Sequence, residues 1–550
     1  MVNFVHKSMK LIAPFLLLRA LPAPSVEIPA SVSADSIRKH VQFLGDDALE
    51  GRATDTRGEA LAAQYIAVRL AEWGLTPMGE NRTFFQTIPL HGSKPLRQSQ
   101  LVIHADDGEH RLELGRDYLL FKSGAQTFIP QPTPMVFVGY GIAAPEFDYN
   151  DYQTIDAEGK IVVFLAGEPP SADPLFFNGE DPTIYSQFES KQRLAVSRGA
   201  LGCILLPTPD DLTYGDWEKK KDEFSFEDVT LAYTVTGNLS AAVNSRIAAH
   251  LFEGAPYSLE QVYEMNRRGL MRSFSLNRSL SFHGVFAERD FIGYNVIGMI
   301  EGRLRKSKGA YVLISAHYDH LGIGPPVAGD SIYNGVLDNA LGVAGALELA
   351  RLFALSSPKP LHSLIFLFTT GEEKGLLGST YYCDHPLVPL HQTIANLNID
   401  GLAADDTFND IVGLGAEWST LDVHLEKTAS LLGLQVSPVP SPFLASESFA
   451  RSDQWAFARA GIPSILISNG LNYRHWSLEQ ALQKTLYWYR NIYHSPVDDL
   501  SQPINYEAAR QHVQVLAVFC RSAANSKTLP QWKAGAPFMA ERLRTIAEKR

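Results

Sequence analysis

The sequence predicts an α/β fold with a mixed, mostly parallel central sheet flanked by helices. Three short apolar runs carry this prediction: Tyr311–Ala316, Leu364–Phe368 and Ile394–Ile399. Apolar runs of this length are typical of strands that are buried on both faces, as in parallel sheets. The small-residue stretch 340–354 repeats its apolar positions at helical spacing, which predicts a helix after the first run.

Composition indicates a globular protein of more than one domain. The chain has 550 residues, of which 45% are hydrophobic and 20% charged, so it has room for two to four domains. The formal net charge of -12 and the absence of a basic stripe argue against a nucleic-acid partner. No stretch approaches the ~18 unbroken apolar residues of a membrane-spanning helix, so stable membrane insertion is not expected.

The N-terminus has the pattern of a secretory signal. Lys7 and Lys10 precede the apolar stretch Leu11–Leu18, and proline and small residues follow it. The sequence therefore predicts a signal peptide over residues 1–30 and export to a periplasm or the medium. No cysteine follows the apolar stretch, so a lipoprotein anchor is not indicated.

The chain has three cysteines, Cys203, Cys383 and Cys520, and none belongs to a CxxC or other zinc-binding pattern. Cys203 and Cys520 lie in apolar segments, which favours buried free thiols. A single disulfide remains open, but three cysteines do not form a disulfide framework.

Polar residues follow the first apolar run. His317 and Asp319 lie at its carboxyl end, where open α/β sheets place their sites. Residues two apart on a strand share a face, so Asp319 can reach the imidazole. A carboxylate behind a metal-bound histidine is a common arrangement. Taken alone, however, the pair is more often a surface histidine beside an aspartate.

Carboxylates stand at the next two junctions. Asp338 precedes the predicted helix, where it either caps the N-terminus or bridges two cations. Glu372 and Glu373 follow the second apolar run. Adjacent carboxylates repel each other unless a cation is near or one is protonated. On a tight turn they point in different directions, so one can bind metal while the other acts as general base. A solvated acidic turn is the alternative.

Asp400 follows the third apolar run, and His494 lies in a Tyr-His-Ser-Pro turn. Each residue has an ordinary alternative, as a turn aspartate or a loop histidine. The ordered set of His, Asp, Glu, Asp and His is more informative, because most members come directly after a buried strand. This mixture of imidazoles and carboxylates suits zinc with open coordination positions. The sequence therefore predicts a two-metal hydrolytic site.

Six sequence blocks carry a resemblance to a known family. They span most of residues 290–510 and read SAHYDH, GVLDNALGVAGALELAR, TTGEEKGLLGS, NLNID, RSDQWAFARAGIPS and YHSPVDD. They resemble the co-catalytic dizinc exopeptidases of metallopeptidase clan MH, which include bacterial leucyl-type aminopeptidases and, more distantly, glutamate carboxypeptidase II. The resemblance implies a phosphorylase/hydrolase-like zinc-peptidase fold and two Zn²⁺ ions, although other divalent metals remain open.

The same resemblance implies a role for each site residue. Two zinc ions would share one carboxylate, with His317, Asp338 and Asp400 as ligands of the first ion and Asp338, Glu373 and His494 as ligands of the second. Glu372 would be the general base, and Asp319 would support His317. Asp453 resembles a position near the active site of the family, and a helix N-cap is the alternative for it.

The resemblance also divides the chain into domains. The block LEGRATDTRGEALAAQYIAVRLAEWGL resembles the opening of the same peptidase family. Short alternating runs after residue 85 indicate strands of a different unit, and residues 134–270 resemble a protease-associated (PA) domain. We therefore expect a discontinuous peptidase domain at 31–84 and 285–550. Residues 85–284 would be an insertion that contains the smaller, β-rich PA-like domain.

The expected activity is removal of N-terminal residues from peptide substrates. A carboxypeptidase of the glutamate carboxypeptidase II type is an alternative, with Arg451 and Arg474 as candidate groups for the substrate carboxylate. A glutaminyl-cyclase-like acyltransferase and a non-catalytic, receptor-like relative are further alternatives, but the complete ligand set disfavours both. The sequence has no GxSxG or HExxH motif. It does not predict an oligomeric state.

The aromatic-rich segment 471–490 is a candidate for the substrate pocket. Its members are Tyr473, His475, Trp476, Tyr487 and Trp488. Core packing is the alternative for most of them.

Overall fold

The computed structural model describes residues 31–121, 128–173, 175–177, 179, 183–208, 217–234, 238–304, 309–440 and 449–548. Strands β1–β22 and helices α1–α13 are numbered along the chain. Two large sheets organise these residues, a central sheet of ten strands and a second sheet of eight. The predicted mixed α/β class is confirmed.

The central sheet combines parallel and antiparallel pairs. Its order is β11-β2-β14-β18-β15-β19-β22-β20-β21, and β1 lies beside β14. The strands are β1 (Thr76–Pro77), β2 (Phe85–Pro95), β11 (Asp228–Leu231), β14 (Phe286–Ile300), β15 (Tyr311–His317), β18 (Ser363–Thr369), β19 (Thr393–Asn398), β20 (Asp410–Leu414), β21 (Gln435–Val436) and β22 (Ser464–Asn469). Parallel pairing joins β18, β15, β19 and β22 at the centre, while β14, β2 and β11 extend one side in antiparallel pairs. The three predicted apolar runs are therefore adjacent central strands.

Helices cover both faces of the central sheet. They are α1 (Ala34–Leu44), α2 (Arg57–Glu72), α7 (Leu341–Leu355), α8 (Leu377–Asp384), α9 (Leu421–Leu432), α10 (Gln454–Arg459), α11 (Leu478–Asn491), α12 (Tyr506–Ala524) and α13 (Met539–Ala547). On one face α1, α2, α7 and α12 share a core with Ile314 and Phe366, and on the other α8 and α10 pack against Leu313 and Ile365. Alternate residues of the strands thus enter two separate cores.

Helix α7 is buried on nearly all sides. The helix itself follows the prediction, but α1, α2 and α12 pack around it, so its apolar surface is wider than the single predicted stripe. A helix that is apolar around its circumference is typical of such a buried position.

The second sheet has the order β4-β3-β13-β6-β9-β10-β12-β5. Its strands are β3 (Gln100–Ala105), β4 (Gly108–Leu112), β5 (Tyr118–Leu120), β6 (Phe128–Val138), β9 (Ile161–Leu165), β10 (Gly202–Leu206), β12 (Leu239–Val243) and β13 (Ser273–His283). The accompanying helices are α3 (Phe188–Ser197), α4 (Trp217–Glu223), α5 (Ser245–Leu251) and α6 (Leu259–Arg267). Two small hairpins complete the strands: β7 (Ala143–Ala144) with β8 (Tyr149–Asn150), and β16 (Gly322–Val327) with β17 (Asp330–Tyr333).

Two strands from the predicted insertion, 85–284, belong to the central sheet. Strand β2 pairs with β14 along its whole length, and β11 pairs with the outer side of β2. The sequence of β2 alternates in burial, which indicates a half-buried strand but carries no information on its partner. The exact domain boundaries, and the likeness of 134–270 to a PA domain, stay predictions.

Lys191 on α3 is a buried cation of the second sheet unit. Its Nζ donates hydrogen bonds to the carbonyl oxygens of Tyr140 (2.7 Å), Leu165 (3.4 Å) and Gly167. Burial lowers the pKa of Lys191 to about 7. This lysine therefore fixes three backbone carbonyls at the cost of removing a charge from water.

All three cysteines are free thiols. Cys203 and Cys520 are buried, as predicted, and Cys383 is half-buried. Burial raises the pKa of all three thiols, so they remain protonated at neutral pH.

Candidate metal centre

The predicted site residues come together at one edge of the central sheet. His317 ends β15, the two glutamates follow β18 and Asp400 follows β19. Because these three strands are adjacent and parallel, their carboxyl ends meet at the same edge. The topology thus brings residues 83 positions apart into contact, as the 3.3 Å separation of His317 Nε2 and Asp400 Oδ1 shows.

Asp338 lies between two histidines. It stands just before α7, and its side chain does not cap that helix. The Oδ1 atom is 3.3 Å from His317 Nε2, and the Oδ2 atom is 3.5 Å from His494 Nε2. The two oxygens of one carboxylate therefore face different imidazoles.

Asp319 supports His317 and the turn after β18. It is fully buried, and its backbone and carboxylate oxygens lie 3.3 and 3.7 Å from His317 Nδ1. The same carboxylate accepts hydrogen bonds from the backbone N–H groups of Glu372 (3.2 Å) and Glu373 (3.4 Å). Asp319 thus orients the imidazole mainly through its backbone carbonyl and fixes the start of the acidic turn through its carboxylate.

The site residues form two overlapping groups of potential metal ligands. One oxygen or nitrogen atom from each of His317, Glu372 and Asp400 lies within 4.8 Å of the others, and the same holds for His317, Asp338 and Glu373. His494 joins the second group, because its Nε2 is 3.0 Å from Glu373 Oε2. That Nε2 atom is shielded from solvent and makes no well-formed hydrogen bond to any described residue.

The two adjacent glutamates have opposite electrostatic environments. Burial and the neighbouring carboxylates of Asp400 and Glu373 raise the pKa of Glu372 well above its usual value. Burial acts in the same direction on Glu373, but His494 and His320 outweigh it and hold the pKa of Glu373 well below its usual value. Two carboxyl groups with divergent pKa values are suited to different roles.

The neighbouring carboxylates raise the pKa values of both imidazoles. Burial alone would lower the pKa of His494, but Glu373 and Asp338 raise it to about 10. His317 is likewise buried, and Glu372 and Asp400 raise its pKa well above the usual value. The site therefore concentrates negative charge that a bound cation would balance, and its mixed nitrogen and oxygen donors fit zinc.

Three buried residues near the site were missed by the sequence reasoning. His320 Nδ1 is 2.6 Å from Glu373 Oε1, and the Arg52 guanidinium and the Asp498 carboxylate contact the backbone around Asp338. His320 and Asp498 lie inside the blocks SAHYDH and YHSPVDD. An additional titratable residue in each block was the available signal.

Asp453 lies behind the site and does not cap α10 with its side chain. It is fully buried and accepts a 2.5 Å hydrogen bond from the hydroxyl of Thr369, while its Oδ1 atom has no hydrogen-bond partner among the described residues. Burial raises the pKa of Asp453 to about 6. The N-cap alternative is therefore not supported.

Glu59 on α2 is a further buried carboxyl group. It accepts hydrogen bonds from the Asp55 N–H (2.7 Å) and from the hydroxyls of Thr370 and Tyr318. Burial raises its pKa to about 8 from the ordinary 4.5. The folded protein therefore holds a proton that the unfolded chain releases above about pH 4.5, so the folded state loses stability as the pH rises from 4.5 to 8.

We expect Glu59→Gln to reduce this loss of stability. Each pKa unit corresponds to ~1.4 kcal/mol, so the effect is at most ~5 kcal/mol. Thermal unfolding at pH 5 and pH 8.5 measures it, with the exposed Glu72→Gln on the same helix as control. If Tm fell equally between pH 5 and pH 8.5 in Glu59→Gln and in the unmodified protein, the expectation would be contradicted.

A cavity of about 340 Å³ opens beside the ligand cluster. Asp338, Glu372 and Asp400 line its mouth. The walls combine polar residues, such as Arg451, Ser452 and Asn469, with apolar and aromatic ones: Leu402, Val412, Leu414, Leu466, Leu471, Tyr473, Trp488, Tyr489 and Tyr493. Two members of the predicted aromatic cluster, Tyr473 and Trp488, therefore line the cavity.

The remaining members of the aromatic cluster have other surroundings. Tyr487 is exposed, Trp476 packs on Tyr473 with ring centroids 5.2 Å apart, and His475 pairs with Asp406 at 3.0 Å. Of the two arginines considered for carboxylate binding, Arg451 lines the cavity wall.

Comparison with known families decides the affiliation of this region. Residues 295–520 match the family model described as peptidase family M28. The chain carries a peptidase family M28 domain. The predicted zinc-peptidase family is confirmed, and the M28 domain includes all of the predicted ligand residues from His317 to His494.

Curated relatives of the M28 domain are named vacuolar membrane protease. The protein from Ajellomyces dermatitidis is 36% identical over 99 residues, which is 18% of this chain and 9% of that protein. The protein from Aspergillus clavatus is 37% identical over 91 residues, or 16% of this chain and 8% of that protein. The matched segment is thus a small part of each relative.

Solved structures match nearly the whole chain. The aminopeptidase from Aneurinibacillus sp. strain AM-1 is 20% identical, with a TM-score of 0.54, and the match covers 90% of this chain and 95% of that one. A zinc aminopeptidase from Bacillus subtilis is 19% identical with a TM-score of 0.47, covering 91% and 97%. At this identity the Aneurinibacillus match establishes a shared fold.

The predicted export to a periplasm or the medium is contradicted. The curated relatives bear the name vacuolar membrane protease, which describes a vacuolar, membrane-associated location for those proteins. The predicted signal peptide, residues 1–30, lies outside the described residues. Among the helices that the structure describes, none combines the length and apolar character needed to cross a membrane.

Proposed function

We propose that the M28 domain is the catalytic domain of a two-zinc aminopeptidase. The observation that carries this proposal is the position of Asp338, whose two oxygens face His317 and His494 separately. A carboxylate in that position is suited to bridge two cations. The Aneurinibacillus protein that shares this fold is an aminopeptidase, which supports the choice of reaction.

The residues would divide into two ligand sets that share Asp338. His317 and Asp400 would complete the first, and Glu373 and His494 the second. Zinc bound there would polarise the scissile carbonyl group and make a water molecule more acidic. In each set the Nε2 atom of the histidine already lies 3.0 to 3.5 Å from an oxygen of both carboxylates.

Glu372 would accept the proton of the attacking water and pass it to the leaving amine. Burial and the nearby carboxylates raise its pKa well above the usual value, which makes it a stronger proton acceptor than an exposed glutamate. Asp319 would hold His317 and, through the Glu372 N–H, the start of the acidic turn.

The cavity beside the cluster would accept the side chain of the N-terminal residue of a peptide. The second sheet unit would be a separate subdomain, without ligands for the two ions. Identification of a metal-coordinating side chain between Gly139 and Leu270 would contradict this division.

A substrate screen tests the reaction. Aminoacyl-arylamides should be hydrolysed, while N-blocked peptides and substrates with only a cleavable C-terminal residue should not. A chelator should abolish activity, and added zinc should restore it. Cleavage of C-terminal residues instead would favour a carboxypeptidase and give Arg451 its predicted role.

A further inference from the structure

Arg52 is a buried cation that binds backbone rather than carboxylate. Its side chain is 1% exposed. The Nε atom donates to the carbonyl of Tyr318 (2.9 Å), and the two terminal nitrogens donate to Leu44, Asn334 (2.6 Å) and Gly335 (3.0 Å). All four of these hydrogen bonds go to backbone carbonyls, while the carboxylates of Asp319 and Asp498 act on the guanidinium through their charge. The guanidinium thus binds the carbonyls of Asn334 and Gly335, just before Asp338. It also binds the carbonyl of Tyr318, which follows His317.

Asp498 accepts hydrogen bonds from the backbone N–H groups of the same chain segment. It is fully buried, and its carboxylate accepts hydrogen bonds from Leu337 (2.8 Å) and Asp338 (3.1 Å). Its backbone carbonyl accepts the N–H of Val336 at 3.1 Å. Three consecutive amides before α7 are therefore satisfied by one residue, which lies four positions after His494.

We propose that Arg52 and Asp498 are positioning residues that hold the 334–338 loop from opposite sides and so place the Asp338 carboxylate between the two histidines. Arg52 fixes the carbonyls of the loop and Asp498 fixes its amides. Charge-assisted hydrogen bonds are stronger and more directional than neutral ones, which suits them to hold a segment whose only regular structure is the single irregular π-helical turn Val336–Ala340. This inference rests on the proposed bridging role of Asp338.

A purely structural role is the alternative, because Arg52 also ties the end of α1 to the sheet edge through the Leu44 carbonyl. Loss of any buried cation that satisfies several carbonyls destabilises a fold. Lys191 provides the matched control, since it too is buried and holds three carbonyls, but in the second sheet unit.

The test compares Arg52→Lys and Asp498→Asn with Lys191→Met in the full chain. Arg52→Lys keeps the charge but loses the forked geometry, and Asp498→Asn keeps the shape but replaces one acceptor oxygen with a donor. The measurements are zinc affinity by competition with a chromophoric chelator, amide hydrogen exchange across residues 334–338, and the thermal midpoint of each zinc-free protein.

We expect the two positioning variants to bind zinc about 10–100-fold more weakly, the usual effect of losing a residue that orients a ligand. Exchange at Val336, Leu337 and Asp338 should accelerate, and excess zinc should restore much of kcat with KM nearly unchanged. Lys191→Met should lower the thermal midpoint while zinc affinity stays within about twofold of the unmodified protein.

Two results would overturn the inference: unchanged exchange and zinc affinity in folded Arg52→Lys and Asp498→Asn, or an equal loss of zinc affinity in Lys191→Met. A different peptide specificity would leave the zinc measurements unaffected, whereas failure of the proposed two-zinc site gives a different result, because the unmodified protein would then bind no zinc. In that case faster exchange in the variants still establishes that the two residues hold the loop, and unchanged exchange refutes it.

Discussion

Replacing Glu372 with glutamine is expected to lower kcat by ~10²–10⁴-fold, the usual contribution of general acid–base catalysis. The amide keeps the shape of the side chain but cannot accept the proton. Zinc content and fold should be retained, and KM should change little, because the lost interaction acts mainly in the transition state. Steady-state kinetics and elemental analysis of the purified variant measure these effects.

Glu373→Gln is the matched control, because it makes the same chemical change one residue away. Its carboxylate lies 3.0 Å from His494 Nε2, so the substitution should weaken one zinc site rather than remove a proton acceptor. Excess zinc should then rescue part of the activity. If Glu372→Gln lost a zinc ion while Glu373→Gln kept both, the two roles would be reversed.

Asp338→Ala is expected to have the second large effect, with loss of most activity and of zinc from both sites. The reason is that Asp338 alone faces both His317 and His494. Elemental analysis after dialysis should find clearly less than two equivalents of zinc. Two full equivalents in Asp338→Ala would rule out the bridging role.

Asp400→Ala is a suitable comparison for that experiment. Asp400 contacts His317 through Oδ1 at 3.3 Å and would belong to one ligand set only. Asp400→Ala should therefore lose one equivalent of zinc, whereas Asp338→Ala should lose more than one. Equal zinc content in the two variants would contradict the assignment of Asp338 as the shared residue.

Much of the arrangement at the site was predictable because it follows from strand order. Apolar runs identified β15, β18 and β19, and a polar residue after each run had to lie at a shared edge once the strands were parallel. His317, Glu372, Glu373 and Asp400 were found in this way. His494 was included only as the last member of the ordered set of imidazoles and carboxylates, because it lies in a turn rather than after a strand.

The two residues that hold the loop before α7 were not predictable by the same argument. Arg52 and Asp498 act on backbone atoms, so no pairing of complementary side chains reveals them. Arg52 is also 282 positions from Asn334, and only the folded chain brings them together. Similarly, the alternation in β2 indicated a strand but not the sheet to which it belongs.

The pairing of β2 with β14 has a consequence for the order of folding. Pro95 pairs with Phe286, and between these two residues only the short strand β11 belongs to the central sheet among the described residues. The chain between them forms a loop of about 190 residues. Loop-closure entropy grows only with the logarithm of length, by about 0.6 kcal/mol per doubling. If the second sheet forms before β2 pairs with β14, it brings the two ends of this loop together. The entropy cost of closing the loop is then smaller.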